Sequence, residues 1–236
     1  MNKELQKIID QSERIVFLGG AGVSTESGIP DFRSENGIFK AQEEYGAPPE
    51  TLLSHSYFMR NTERFYAYYK KNLIYPDAKP NKAHFALAKL ERMGKLTAVI
   101  TQNIDDLHQR AGSKKVLELH GSVYRNYCQK CHAFYPADFI LKSDGVPHCH
   151  CGGVIKPDVV LYEEGLDYQV LSEAIGNICQ ADTLIIGGTS LVVYPAAGLV
   201  NYFRGKNLVV INLSQTSQDE HATLCLHEKV GEALDF

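Results

Sequence analysis

Ile15-Val16-Phe17-Leu18 is a run of four apolar residues that leads directly into the glycine-rich stretch Gly19-Gly20-Ala21-Gly22. A short continuous apolar run bounded by a turn fits a strand buried on both faces, and such strands occur in parallel sheets covered by helices. The glycines then mark a tight turn at the carboxyl end of the strand. There the backbone amides can face a pyrophosphate, because no side chain stands in the way. The third glycine of the usual dinucleotide fingerprint is missing, so these residues alone are also compatible with a plain strand-to-helix turn. The continuation through Thr25 to Pro30-Asp31-Phe32-Arg33 argues for more than a connection. An acid, an aromatic face and a guanidinium follow one another after a stiffening proline, which a connecting loop has no packing reason to supply.

Further apolar runs recur at 97–100, 116–119, 183–186 and 208–211, most of them separated by segments of helical period. Asn81 is the candidate N-cap of a helix using Ala83, Leu87 and Leu90, and Leu171, Ala174, Ile175 and Ile178 repeat at helical spacing before the fourth run. With 236 residues, 44% of them hydrophobic, the chain can bury a sizeable core. The expected fold is α/β: a Rossmann-like parallel sheet with helices on both faces, plus a small lobe formed by insertions, which four clustered cysteines at 128, 131, 149 and 151 make a zinc-binding one. The nucleotide-binding domain is assigned to 1–35, 80–121 and 158–236, a cofactor-loop and helical insertion to 36–79, and a metal module to 122–157. Phe65, Tyr66, Tyr68 and Tyr69 form an aromatic helical face whose first reading is packing.

Four of the six cysteines fall within 24 positions. Cys128-x2-Cys131 and Cys149-x-Cys151, seventeen residues apart, resemble two zinc knuckles, and four thiolates suit a closed structural zinc site. The second pair is one residue shorter than the usual knuckle, which leaves His148 and His150 as alternative ligands.

The stretch from Gly20 to Ser34 resembles the signature of the sirtuins, the Sir2-type NAD-dependent protein deacylases. The resemblance recurs at Thr101-Gln102-Asn103-Ile104-Asp105, at Leu119-His120-Gly121 and at Gly188 to Ala196, and covers nearly the whole chain as a bacterial- or archaeal-like single catalytic core. It implies an enzyme that transfers the acyl group of an acetylated lysine to the ADP-ribose of NAD, releasing nicotinamide and forming 2'-O-acetyl-ADP-ribose. The catalytic residues it implies are His120, as base toward the ribose hydroxyls, with Asn103 and Asp105.

By the same resemblance, Gly20, Ala21, Gly22, Thr25, Asp31, Phe32 and Arg33 bind the cofactor, Phe32 shielding the reacting carbon and Arg33 meeting phosphate. Gln102 contacts ribose, and Ile104 and Asp105 line the nicotinamide pocket. Gly188, Thr189, Ser190, Asn212, Leu213 and Val230 surround the adenosine half, with Lys229 a further candidate. Val159, Val160, Leu161 and Tyr162, together with Val192 and Val193, clasp the acyl-lysine peptide by strand addition. The family pattern has glycine where this chain has Glu163. Members that prefer succinyl- or malonyl-lysine carry a Tyr-x2-Arg pair; here Tyr66 matches the tyrosine, Tyr69 stands where arginine would be, and Tyr57-x2-Arg60 lies outside the aligned helix.

Two other functions fit the same residues: a protein mono-ADP-ribosyltransferase, and a non-catalytic module that binds NAD and acyl-lysine. A formal net charge of -4 gives no reason to expect direct nucleic-acid binding. No segment has the length of a membrane span, and a cytoplasmic monomer is expected.

Overall fold

The computed structural model describes residues 2–31 and 35–235. Among these the strands are β1 (Ile15–Gly19), β2 (Leu96–Thr101), β3 (Val116–Glu118), β4 (Gly121–Cys128), β5 (Phe134–Pro136), β6 (Ile155–Val159), β7 (Thr183–Gly187), β8 (Asn207–Ile211) and β9 (Leu224–Leu226). The chain divides into two units, one comprising residues up to Ile29, Ala78–Leu119 and Leu166 onward, the other Pro30–Asp77 and His120–Gly165.

The first unit is built on a six-stranded sheet in the order β3-β2-β1-β7-β8-β9, with every pairing parallel. The five apolar runs read from the sequence are its strands β1, β2, β3, β7 and β8. Their side chains alternate between two cores, as the period of a strand requires. Ile15, Phe17, Ile185, Val209 and Ile211 pack on one face against Leu5, Ile8 and Ile9 of the helix Lys3–Gln11 and against Ala83, Leu87 and Leu90 of the helix Lys82–Arg92. Val16, Leu18, Leu184, Ile186 and Val210 pack on the other against Ala174 and Ile178 of the helix Tyr168–Gln180. The sheet is thus covered on both sides. Asn81 caps its helix as expected, accepting from Ala83 N–H, while His84 Nδ1 accepts from Asn81 N–H. β9 was not legible: Leu224-Cys225-Leu226 is as short and as marginal as β3, but the polar His227-Glu228-Lys229 follows it where the apolar run of β3 continues into the buried Leu119.

The second unit holds a three-stranded antiparallel sheet, β5-β4-β6. Its helical part includes Thr62–Asn72, whose Phe65, Tyr66, Tyr68 and Tyr69 are at most 2% exposed. Phe58 meets Phe65 edge to face at 4.9 Å, and Phe65 stacks on Tyr69 at 5.4 Å. The aromatic stripe is therefore core. No helix among the described residues is long and apolar enough to cross a membrane.

Candidate active site and metal centre

The order of the first unit's sheet reverses at β1, which has β2 on one side and β7 on the other. Ligands of parallel sheets bind at the carboxyl ends of strands beside such a reversal. Two glycine turns meet there. Gly20 N–H donates to Gly187 O at 3.2 Å and Gly22 N–H to Gly188 O at 2.8 Å, zipping the end of β1 to the end of β7. A Cβ on Gly22 would lie 2.8 Å from Gly188 Cα, and one on Gly20 2.8 Å from Thr189 Cβ. Gly188 itself has φ 58°, and its Cβ would lie 2.5 Å from Val23 N. Only a backbone without side chains makes this turn, which is the cradle a phosphate-bearing cofactor needs.

A polar constellation fills the same edge. Ser24 Oγ donates to Asp105 Oδ2 at 2.6 Å and accepts from Asn103 Nδ2 at 3.0 Å. Asp105 Oδ1 accepts from Leu107 N–H at 3.0 Å, so Asp105, and not Asp106, supports the start of the helix Leu107–Arg110. Burial lifts the Asp105 carboxyl above its ordinary range, against the pull of the Ser24 and Leu107 hydrogen bonds. Gln102, 7% exposed, donates through Nε2 to Thr189 Oγ1 at 3.1 Å, which ties the ends of β2 and β7. Thr101 Oγ1 accepts from Asn103 N–H.

The fold therefore brings Gly20, Gly22, Gln102, Asn103, Asp105, Gly188 and Thr189 to one sheet edge. Thr25 Oγ1 donates to Gly22 O, and Ile104 is half-buried beside Asn103. At the end of β8, Asn212 N–H pairs with Leu226 O and Asn212 Nδ2 donates to Ser214 O, while Leu213 is exposed. Val230 is 2% exposed and belongs to the apolar core. Phe32 and Arg33 fall outside the described residues. Ser24 was missed by sequence reasoning: it stands inside the glycine-rich run, yet nothing local pairs it with a carboxylate 81 positions away.

In the second unit His120 is half-buried in the turn before β4, and its carbonyl accepts from Val160 N–H at 3.0 Å. β6 is an edge strand, so the segment from Val159 onward borders an unfilled ladder position. Tyr162 pairs instead with the helical layer, its N–H donating to Leu53 O and its carbonyl accepting from His55 N–H. Glu163 follows at φ 76°, the left-handed conformation for which glycine is suited. It is held there by Ser56, whose N–H and Oγ donate to its carboxylate at 2.8 and 2.9 Å and keep its carboxyl below the ordinary range. Glu164 adds a hydrogen bond with His55 Nδ1 at 2.8 Å and an ion pair to Lys156 at 3.0 Å. Val192 is 68% exposed in the first unit, next to the half-buried Val193.

Cys128, Cys131, Cys149 and Cys151 are free thiols whose sulfurs all lie within 4.8 Å of one another. This set fits tetrahedral zinc in chemistry and in count. Lys130 N–H at 3.3 Å orients the Cys128 sulfur, and Tyr135 Oη at 3.1 Å orients that of Cys149. The Cys151 amide, and after it the Tyr135 hydroxyl, pulls the Cys149 thiol down to about 6. Neither neighbouring histidine joins the cluster, and His148 Nδ1 lies 2.8 Å from Val146 O. The short Cys-x-Cys knuckle closes through Gly152, at φ 80°, and Gly153, where a Cβ would lie 2.7 Å from Cys128 Sγ. That glycine pair, directly after Cys151, was the overlooked signal for the tighter turn.

Residues 20–195 match the model of the Sir2 family. A protein of Clostridium perfringens named NAD-dependent protein deacetylase is 64% identical over 98% of this chain and 96% of its own length. A Staphylococcus aureus protein of the same name is 48% identical over 95% and 92%. Among solved structures, a Sir2 protein with a peptide and NAD+ superimposes with a TM-score of 0.87 at 44% identity, covering 99% of this chain and 96% of the other. A Sir2 protein bound to a propionylated peptide gives a TM-score of 0.85 at 44% identity over 98% and 94%. Matched over most of its length by the family model and nearly end to end by these relatives, the chain belongs to the Sir2 family.

Proposed function

We propose that this chain is an NAD-dependent protein-lysine deacetylase carrying one structural zinc. The observation that carries the reading is the Asn103–Ser24–Asp105 constellation beside the glycine cradle at the sheet reversal, in a member of the Sir2 family whose relatives bear that activity in their names. When bound, NAD supplies a ribose whose anomeric carbon can release nicotinamide and accept the acyl oxygen of an acetylated lysine, with 2'-O-acetyl-ADP-ribose as product. Asn103 orients ribose and water at that carbon. Asp105, fixed by Ser24 and Leu107, receives the nicotinamide carboxamide beside Ile104. His120 takes a proton from a ribose hydroxyl onto its imidazole.

Gly20, Ala21, Gly22, Thr25, Asp31 and Arg33 hold the phosphates and their approach, Phe32 covers the reacting carbon, and Gln102 meets ribose. Gly188, Thr189, Ser190, Asn212, Leu213 and Val230 hold the adenosine half. Val159 to Tyr162, with Val192 and Val193, bind the peptide through its backbone. Cys128, Cys131, Cys149 and Cys151 hold the zinc, which four protein ligands close to substrate. The enzyme is read as a cytoplasmic monomer, and its net charge of -4 supports the absence of direct nucleic-acid contacts.

Incubation with NAD and an acetyl-lysine peptide tests this directly. Mass spectrometry should find free peptide and O-acetyl-ADP-ribose in equal amounts. ADP-ribosylated peptide would favour a transferase, and no nicotinamide release would leave a binding module.

A further inference from the structure

The connection between β8 and β9, the strand β9 and the residue after it bring an acid, a thiol and an imidazole together next to Asn212, and none of the three belongs to the centres described above. Thr216 donates to Asp219 Oδ1 through its amide at 3.1 Å and its hydroxyl at 2.6 Å, which fixes the carboxylate. The Asp219 side chain is 9% exposed, and its second oxygen, Oδ2, lies outside the Thr216 hydrogen bonds, on the side of the Cys225 thiol and the His227 ring. His227 Nε2 stands 3.4 Å from that oxygen and 3.6 Å from Cys225 Sγ. The three donor atoms lie within 4.8 Å of one another.

We propose that Asp219, Cys225 and His227 form a second metal site, for zinc or a divalent cation of similar softness. The orientation of His227 is the first argument. Its Nδ1 faces Asn212 O at 3.3 Å, and a carbonyl can only accept, so Nδ1 carries a hydrogen and Nε2 is the ring atom turned toward the acid and the thiol. A carboxylate oxygen, a ring nitrogen and a sulfur thus converge within 4.8 Å of one another, a donor set that suits a soft divalent cation.

Distance decides which cation. A proton shared by imidazolium and carboxylate draws the two atoms to roughly 2.7–2.9 Å. Zinc bonds of about 2.0–2.3 Å in tetrahedral geometry instead set ligand atoms about 3.3 Å apart for nitrogen and oxygen, and about 3.6 Å apart for nitrogen and sulfur. The observed 3.4 and 3.6 Å match the metal. One nitrogen, one sulfur and one oxygen suit a borderline cation better than calcium or magnesium. As the metal–sulfur bond forms, the Cys225 thiol proton leaves to solvent, and the fourth position stays open to water.

The test is zinc titration of the full-length protein, stripped with a mild chelator, against a chromophoric competitor. The parent should take up two equivalents per chain, the weaker one assigned to this site. Cys225→Ala and His227→Ala should each weaken that second equivalent by at least about a hundredfold while the first is kept. Cobalt should report the same site independently, as a tetrahedral spectrum with a single-thiolate charge-transfer band that vanishes in Cys225→Ala. A parent that binds one equivalent overturns the proposal whatever the variants do. So do two equivalents in both variants.

Discussion

Glu163 keeps a left-handed backbone that costs any residue with a Cβ, and its carboxylate is bound by Ser56 from two sides. The sirtuin pattern places glycine here, and the acid is accommodated because local hydrogen bonds offset the strain. Glu163→Gly should therefore lose the bonds but relieve the backbone, whereas Glu163→Ala loses the bonds and keeps the strain. Melting temperatures should rank parent and Glu163→Gly above Glu163→Ala; an alanine variant as stable as the glycine one would contradict this. His120→Ala should lower deacetylation by roughly 10²- to 10⁴-fold, the usual contribution of a general base, with NAD binding by calorimetry largely retained. Activity within twofold of the parent would remove His120 from that role. Asn103, Asp105 and His120 were legible because they stand in contiguous motifs. Ser24, Ser56 and Glu164 were not, since their importance lies in partners 79 to 109 positions away, which no local pattern encodes.

The elements that could be read were those with a clean period. β1, β2, β7 and β8 are buried on both faces and so appear as unbroken apolar runs, while the three-stranded sheet of the second unit follows no such rule, its β5 being exposed at Phe134 and Pro136. Its stability is expected to come from the metal knuckles. Gly153→Ala places a methyl 2.7 Å from Cys128 Sγ and 2.8 Å from Lys130 Cβ without touching any ligand's identity. The variant should lose its tightly held zinc to a chelator faster than the parent, with hydrogen exchange rising in β4 and β6; unchanged zinc retention would sink the argument. By the sirtuin pattern, the helix Thr62–Asn72 bears on acyl choice. Tyr66 gives its hydroxyl to Ile155 O, Tyr69 is fully buried, and the Lys70 ammonium over the Tyr66 ring is taken up by Ser143 O and Gly145 O, so this helix face leaves a distal carboxylate no free cation. On one peptide, succinyl-lysine should react at least about tenfold less efficiently in kcat/KM than acetyl-lysine, because an unpaired buried carboxylate is costly. Equal turnover would return Arg60 to consideration.

The response of the whole molecule to acid should be set largely by two histidines that play no part in the chemistry. His84 and His108 face each other in the first unit, ring centres 4.7 Å apart, and are at most 1% exposed. Burial lowers His84 to about 4, and burial together with the His84 ring holds His108 well below its ordinary value. Above pH 6.5 both rings are neutral, folded or unfolded, and stability does not depend on them. As pH falls below 6.5 the unfolded chain takes up protons that the folded one refuses, so stability drops between about 6.5 and 4. A shift from 6.5 to about 4 corresponds to about 3 kcal/mol for His84 alone, a large share of a typical domain's stability. Carboxylates held below their ordinary range, such as Glu164 and Asp219, act in the same direction but only at lower pH, and Asp105, raised by burial, acts in the opposite one. Neither nitrogen of His108 has a hydrogen-bond partner, so His108→Leu removes a titrating group without breaking a bond. Urea midpoints should fall from pH 7.5 to pH 5 in the parent and fall less steeply in His108→Leu. An equal slope in the two proteins would show that the acid sensitivity comes from elsewhere.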